Sequence, residues 1–86
     1  MIFVRTRSGR YLSLSHIIGF AIEEQNTEME GQRMRVFNII AYLPQPLYPA
    51  ILSICYEEES AEKELEMFME RLVKLERGII GLETQV

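Results

Sequence analysis

Arg35-Val36-Phe37-Asn38-Ile39-Ile40-Ala41-Tyr42-Leu43 is the stretch on which the fold turns. It is long, β-branched and aromatic, a composition that suits a pleated, packed surface. Alternate residues of a strand point to opposite faces, and here both faces are largely apolar. Such a strand belongs in the middle of a sheet with a neighbour on each side. Asn38 is the exception, and once buried it must find hydrogen-bond partners.

Toward the amino terminus, Ile17-Ile18-Gly19-Phe20-Ala21-Ile22-Glu23-Glu24 supplies one neighbour. Ile18, Phe20 and Ile22 alternate with smaller or polar residues, the pattern of a half-buried strand. Gly19 marks either a bulge or a close backbone approach. Residues 25–34 are polar and read as a connection centred on Gly31.

The first fifteen residues read as a β-hairpin with two possible registers. A two-residue turn at Ser8-Gly9 sets Arg7 opposite Arg10 and puts Arg5 on the face of Leu12 and Leu14. A three-residue loop, Arg7-Ser8-Gly9 with Gly9 left-handed, pairs Val4 with Leu12 and Ile2 with Leu14. One face then becomes apolar and Arg5 meets Tyr11 on the other. A slip of one residue turns every side chain over, so the three-residue loop is expected.

Toward the carboxyl terminus, Pro44-Gln45-Pro46-Leu47-Tyr48-Pro49 ends the central strand, because proline cannot donate to a ladder. Residues 51–56 resume extended structure. Ser60 is the expected N-cap of a helix over 60–77, preceded by Glu57, Glu58 and Glu59, whose charge suits a helix amino terminus. Leu65, Phe68, Leu72 and Leu75 recur at spacings of three and four, with Ala61, Met69 and Val73 widening the stripe. Gly78 is the expected stop. Ile79, Ile80 and Leu82 follow it, so the tail 79–86 is expected to return as an edge strand or to meet a second copy.

The expected architecture is therefore α+β. An antiparallel β-meander of about five strands over 1–56 is covered on one face by one long carboxyl-terminal amphipathic helix. The 86 residues make a single domain, 1–86, with no room for a second core. A 48% hydrophobic and 26% charged composition excludes wholesale disorder. A chain this short buries about 60% of its unfolded surface, which makes self-association a common remedy.

All 13 acidic residues are glutamate; there is one histidine, one cysteine and no tryptophan. Hydrolytic, metal-dependent and phosphoryl-transfer sites draw heavily on Asp, His and Cys, so the inventory argues against an enzyme and implies no cofactor. His16 alone is no metal site, and the three consecutive glutamates cannot converge on one ion without a turn and further oxygens. Cys55 has no partner for a disulfide and fits a reducing compartment. No amino-terminal apolar run resembles a secretory signal, and no apolar stretch approaches the ~18–20 residues of a membrane span. The cytoplasm is the expected location, with no membrane partner.

Net charge is −4, unevenly spread. Residues 1–22 carry three arginines and no acid, whereas residues 57–86 carry nine glutamates against four cations. Arg5, Arg7 and Arg10, with Tyr11 beside Arg5, form a candidate anion patch able to grip phosphate and stack a base. Three arginines are few for a nucleic-acid coat, and a solvated turn that discourages aggregation explains them better. Leu47 and Tyr48, with Ile79, Ile80 and Leu82, form a candidate partner interface. The terminal Glu83-Thr84-Gln85-Val86 matches the carboxyl-terminal pattern that PDZ domains read, at only two constrained positions.

The run Arg7-Ser8-Gly9-Arg10-Tyr11-Leu12-Ser13-Leu14-Ser15-His16-Ile17-Ile18 is followed by a long strand, a turn and a short strand. Ser60-Ala61-Glu62-Lys63-Glu64-Leu65-Glu66 then enters the helix. Over residues 1–77 this order resembles small bacterial and phage proteins with a β-meander followed by one helix. Those proteins carry a short glycine turn where this chain has Pro44 to Pro49. The order also resembles a shortened pleckstrin-homology-like barrel, about two strands short of a full one. The resemblance implies a fold and no activity. The expectation is a non-catalytic binding or assembly module acting through protein contacts, as a homodimer built through the tail or an exposed sheet edge, with another protein as the further partner. The alternative is a small nucleic-acid-associated regulator using Arg5, Arg7 and Arg10.

Overall fold

The computed structural model describes residues 2–77. The elements are β1 (Phe3–Arg5), β2 (Tyr11–Ser13), β3 (Gly19–Met29), β4 (Gln32–Tyr42), β5 (Ala50–Cys55) and α1 (Glu58–Arg77), all strand pairs being antiparallel. The class is α+β, as the periodicities require. The strands do not form one meander, however. They divide into a two-stranded sheet, β1-β2, and a three-stranded sheet, β3-β4-β5.

The division has a local cause. Leu14–His16 wind into a single 3-10 turn, with the Ile17 N–H donating to the Leu14 carbonyl at 3.1 Å. That turn interrupts the ladder between β2 and β3. The first hairpin instead reaches the far side of the larger sheet, where the Arg7 N–H donates to the Ile51 carbonyl of β5 at 2.9 Å.

Within the hairpin, Val4 pairs with Leu12 and Arg5 with Tyr11. The Leu14 N–H reaches the Ile2 carbonyl at 2.9 Å, which continues the same register. This is the three-residue loop, with Gly9 at φ +95°, a conformation a β-carbon resists. Val4 is buried and Ile2, Leu12 and Leu14 half-buried, so one face is apolar as that register demands.

The larger sheet departs from expectation at residues 25–34. These residues are not a loose connection. β3 continues to Met29 and β4 begins at Gln32, joined by Glu30 and Gly31 at φ +52° and +79°, a two-residue hairpin turn. Polar residues on both faces are compatible with a ribbon that water bathes on both sides. Arg35 pairs with Glu24 at 3.3 Å and lies over the Phe37 ring at 5.7 Å, tying the base of the arm.

Cross-strand partners share a face. One face of the sheet therefore gathers Phe20, Ile22, Phe37 and Ile39, and α1 packs on it. The core joins Phe37, Ile39, Cys55 and Ala61, with Ile22, Leu52 and Leu65 packed against them. Phe20 and Phe68 meet edge to face with centroids 5.4 Å apart. The β4–β5 register shifts between Ile39 and Ile40, and Leu52 is the extra residue of that bulge.

The helix begins two residues before the expected cap. The Ala61 N–H bonds the Glu57 carbonyl at 3.1 Å, and Ser60 lies inside the first turn with its hydroxyl donating to the Glu57 carboxylate at 3.5 Å. The apolar seam is also narrower than its spacing implied. Leu72 is buried, but Leu75 is 57% exposed, and Met69 and Val73 are exposed as well. The expectations for Gly78 and for residues 79–86 lie outside the described residues.

Candidate functional site

The tip of the first hairpin is organised by Thr6, which is only 2% exposed. Its hydroxyl accepts the Arg10 N–H at 3.0 Å and meets the Ser8 hydroxyl at 3.1 Å. Its backbone donates to the Arg10 carbonyl at 2.7 Å and accepts from the Gly9 N–H at 3.0 Å. These bonds fix the backbone of the loop that carries Arg7 and Arg10.

Arg7 and Arg10, with Ser8, line an open hollow of about 600 Å³ against Ile51 and Ile54. Arg5 lines a separate cleft of about 160 Å³ between the hairpin and α1. The Arg5 guanidinium itself runs back along the hairpin, with Nη2 3.8 Å from the position a β-carbon would take on Gly9, so it stays at the hairpin tip. Tyr11 stands opposite Arg5 in the ladder and is 67% exposed, and it lines neither recess.

The cleft is lined by the apolar Val4, Ile39, Leu52 and Phe68 and by the polar Ser53, Glu64 and Arg71. Behind it, the buried Cys55 thiol donates to a Glu64 carboxylate oxygen at 3.5 Å. Burial first, and then that carboxylate, push the Cys55 thiol above its ordinary range, which keeps it protonated and unreactive at neutral pH. Arg71, Glu64 and Ser53 were not singled out by sequence reasoning. Their only signal is position: Glu64 and Arg71 flank Phe68 at spacings of four and three, the edges of the helix stripe.

Of the candidate partner residues, Leu47 and Tyr48 are 60% and 88% exposed. Their loop is closed by the Leu47 N–H donating to the Pro44 carbonyl at 3.0 Å. Ile79, Ile80 and Leu82 lie outside the described residues.

A further surface is the outer edge of β3, a strand that sequence reasoning did not single out when it expected an exposed sheet edge. Among the described residues, the sheet order leaves one side of this strand unpaired through Gly19–Met29, and its ladder with β4 runs without a bulge through every residue. In a two-residue hairpin the closing pair, here Met29 and Gln32, exchanges both of its bonds. Alternation then gives the odd-numbered residues of β3 to β4, and aims the N–H and C=O groups of Ile22, Glu24, Asn26 and Glu28 outward. No proline or lysine blunts this edge.

Among the described residues, no three His, Cys, Asp or Glu side chains stand close enough to hold a metal ion. No described helix is long and apolar enough to cross a membrane. Compared with protein-family models, curated proteins and solved structures, the chain matches none.

Proposed function

We propose that the protein is a non-catalytic binding or assembly module of the cytoplasm that works as a homodimer, two copies pairing through the outer edge of β3. The observation that carries this reading is the length of that edge, unbulged over Gly19–Met29 and unpaired among the described residues. A row of free backbone donors and acceptors is a template for another strand. Two-fold pairing with Gln25 on the axis sets residues 21–29 of each copy against each other. Glu24 then faces Asn26, Glu23 faces Thr27, and Glu28 faces Ile22. It is the longest such register in which no two glutamates stand opposite, which matters because facing like charges destabilise a pair.

Sedimentation velocity from low to high micromolar concentration tests the reading. A concentration-dependent dimer is expected; a monomer throughout the range overturns it.

A second reading, a small nucleic-acid-associated regulator, is favoured by the convergence of Arg7, Ser8 and Arg10 on one hollow. It requires retention of nucleic acid that weakens with salt and is lost on Arg7→Ala.

A further inference from the structure

We propose that the hollow at the tip of the first hairpin binds a phosphomonoester dianion carried on a compact body. The nucleic-acid reading rests on the same hollow, but the phosphate can end a strand or belong to a small molecule. Association through β3 is a separate matter, because β3 and β5 are opposite edges of the larger sheet.

Charge is the first observation. Arg7 and Arg10 line the hollow and no carboxylate does. The Arg5 guanidinium joins them at the tip, beside Gly9. None of the three forms a salt bridge among the described residues, although the chain as a whole carries a net charge of −4. Like charges gathered on one loop repel one another, and an anion between them relieves that cost.

The second observation is a surplus of donors. The N–H groups of Thr6, Arg7 and Gly9 have backbone acceptors, and that of Arg10 has the Thr6 hydroxyl. The Ser8 N–H is the one amide of this loop without a partner among the described residues. Ser8 is exposed and lines the hollow, so it sets an amide and a hydroxyl beside the guanidiniums. A lone carboxylate leaves most of these donors unanswered. A phosphomonoester offers three strong acceptor oxygens and, at neutral pH, a charge of about −1.5 to −2. A phosphodiester keeps fewer free oxygens and a single charge. The third observation is the remaining wall. Pro49, Ile51 and Ile54 make it apolar, and a volume of about 600 Å³ leaves room for a ring-sized body.

The test is an NMR titration of the intact protein with adenosine 5′-monophosphate, its 3′,5′-cyclic diester and adenosine. These present one body as a dianion, a monoanion and a neutral molecule. Saturable shifts at Ser8, Gly9 and Ile54 are expected for the monophosphate, with a dissociation constant of about 1 mM or below. The other two are expected to bind at least tenfold more weakly. Arg7→Gln and Arg10→Gln each weaken binding about tenfold or more, and far-UV circular dichroism identifies the variants that remain folded. The arginines are the only titratable side chains lining the hollow. Affinity therefore follows the ligand's second ionisation and falls severalfold from about pH 7 to about pH 5, a dependence that damage to the fold does not produce. A single-stranded oligonucleotide with and without a 5′-phosphate separates the sources. Preference for the phosphorylated end supports the proposal with a strand terminus as ligand. Binding of the monophosphate with neither oligonucleotide retained supports it with a small molecule and removes the nucleic-acid reading. Equal affinity for the cyclic diester overturns the proposal and leaves the nucleic-acid reading standing. Succinate bound as tightly as the monophosphate, shifts that never saturate, or affinity unchanged in both folded arginine variants also overturn it.

Discussion

Asn38 stands at the centre of β4, 6% exposed, with its Nδ2 donating to Gln25 Oε1 at 2.7 Å. Its Oδ1 is buried without a partner among the described residues. The sequence reading demanded partners for this residue, and the structure provides for one end only. An unsatisfied buried acceptor costs about 1–3 kcal/mol, whereas the single bond to Gln25 contributes about 0.5–1.5 kcal/mol. Gln25 is exposed and recovers water when released. Asn38→Leu, close to isosteric, is therefore expected to stabilise the fold by about 1 kcal/mol, read as a higher urea midpoint with unchanged slope. A lower midpoint contradicts the account. Cys55 yields a prediction with a definite sign. Its thiol is raised by burial and by Glu64, so the folded state holds the proton more tightly than the unfolded chain. The associated stability is complete below the ordinary thiol pKa of about 8.5 and is lost as pH rises through the higher folded value. Tyr42, raised by its 2.8 Å bond to Glu23, adds a loss of the same sign that begins only near pH ~10. Between those limits the urea midpoint of the protein falls with pH, and Cys55→Val removes most of that slope.

The two hairpins show when an element is legible. In the first, only one register sorted Ile2, Val4, Leu12 and Leu14 onto one face, and that register is observed. In the second, residues 25–34 are polar on both sides, so alternation carries no signal and the ribbon looked like a loop. The turn residues Glu30 and Gly31 are compatible with either. The same ribbon gives a paired prediction. Asn26 aims its N–H at the free edge, whereas Thr27 gives its own to β4, so proline acts differently at these adjacent positions. Asn26→Pro is expected to keep the fold and weaken self-association at least tenfold. Thr27→Pro is expected to lower the unfolding midpoint by removing a ladder bond. Circular dichroism with sedimentation reads both, and an Asn26→Pro variant that associates like the parent protein rules out the β3 edge. The helix was legible from its three-four spacing, but its ends were not. Glu57, rather than Ser60, accepts the first intrahelical bond, and the seam closes at Leu72 because Leu75 meets solvent.

At the scale of the molecule, the radius of gyration is 14.7 Å against about 12 Å for a compact domain of this length. Extents of 50 × 29 × 19 Å describe an elongated particle with much of its backbone near the surface. The sequence by itself determined the class, the central place of residues 35–43 and the register of the first hairpin. Each of these follows from side-chain periodicity, which a chain carries locally. Only the tertiary structure decided that the strands form two sheets, that Glu64 and Arg71 border a cleft with residues of the first hairpin, and that β3 is an edge strand among the described residues. These are contacts between residues distant in the chain, set by how packed surfaces meet; no local pattern encodes which residues of a hairpin come to border a helix some sixty residues on.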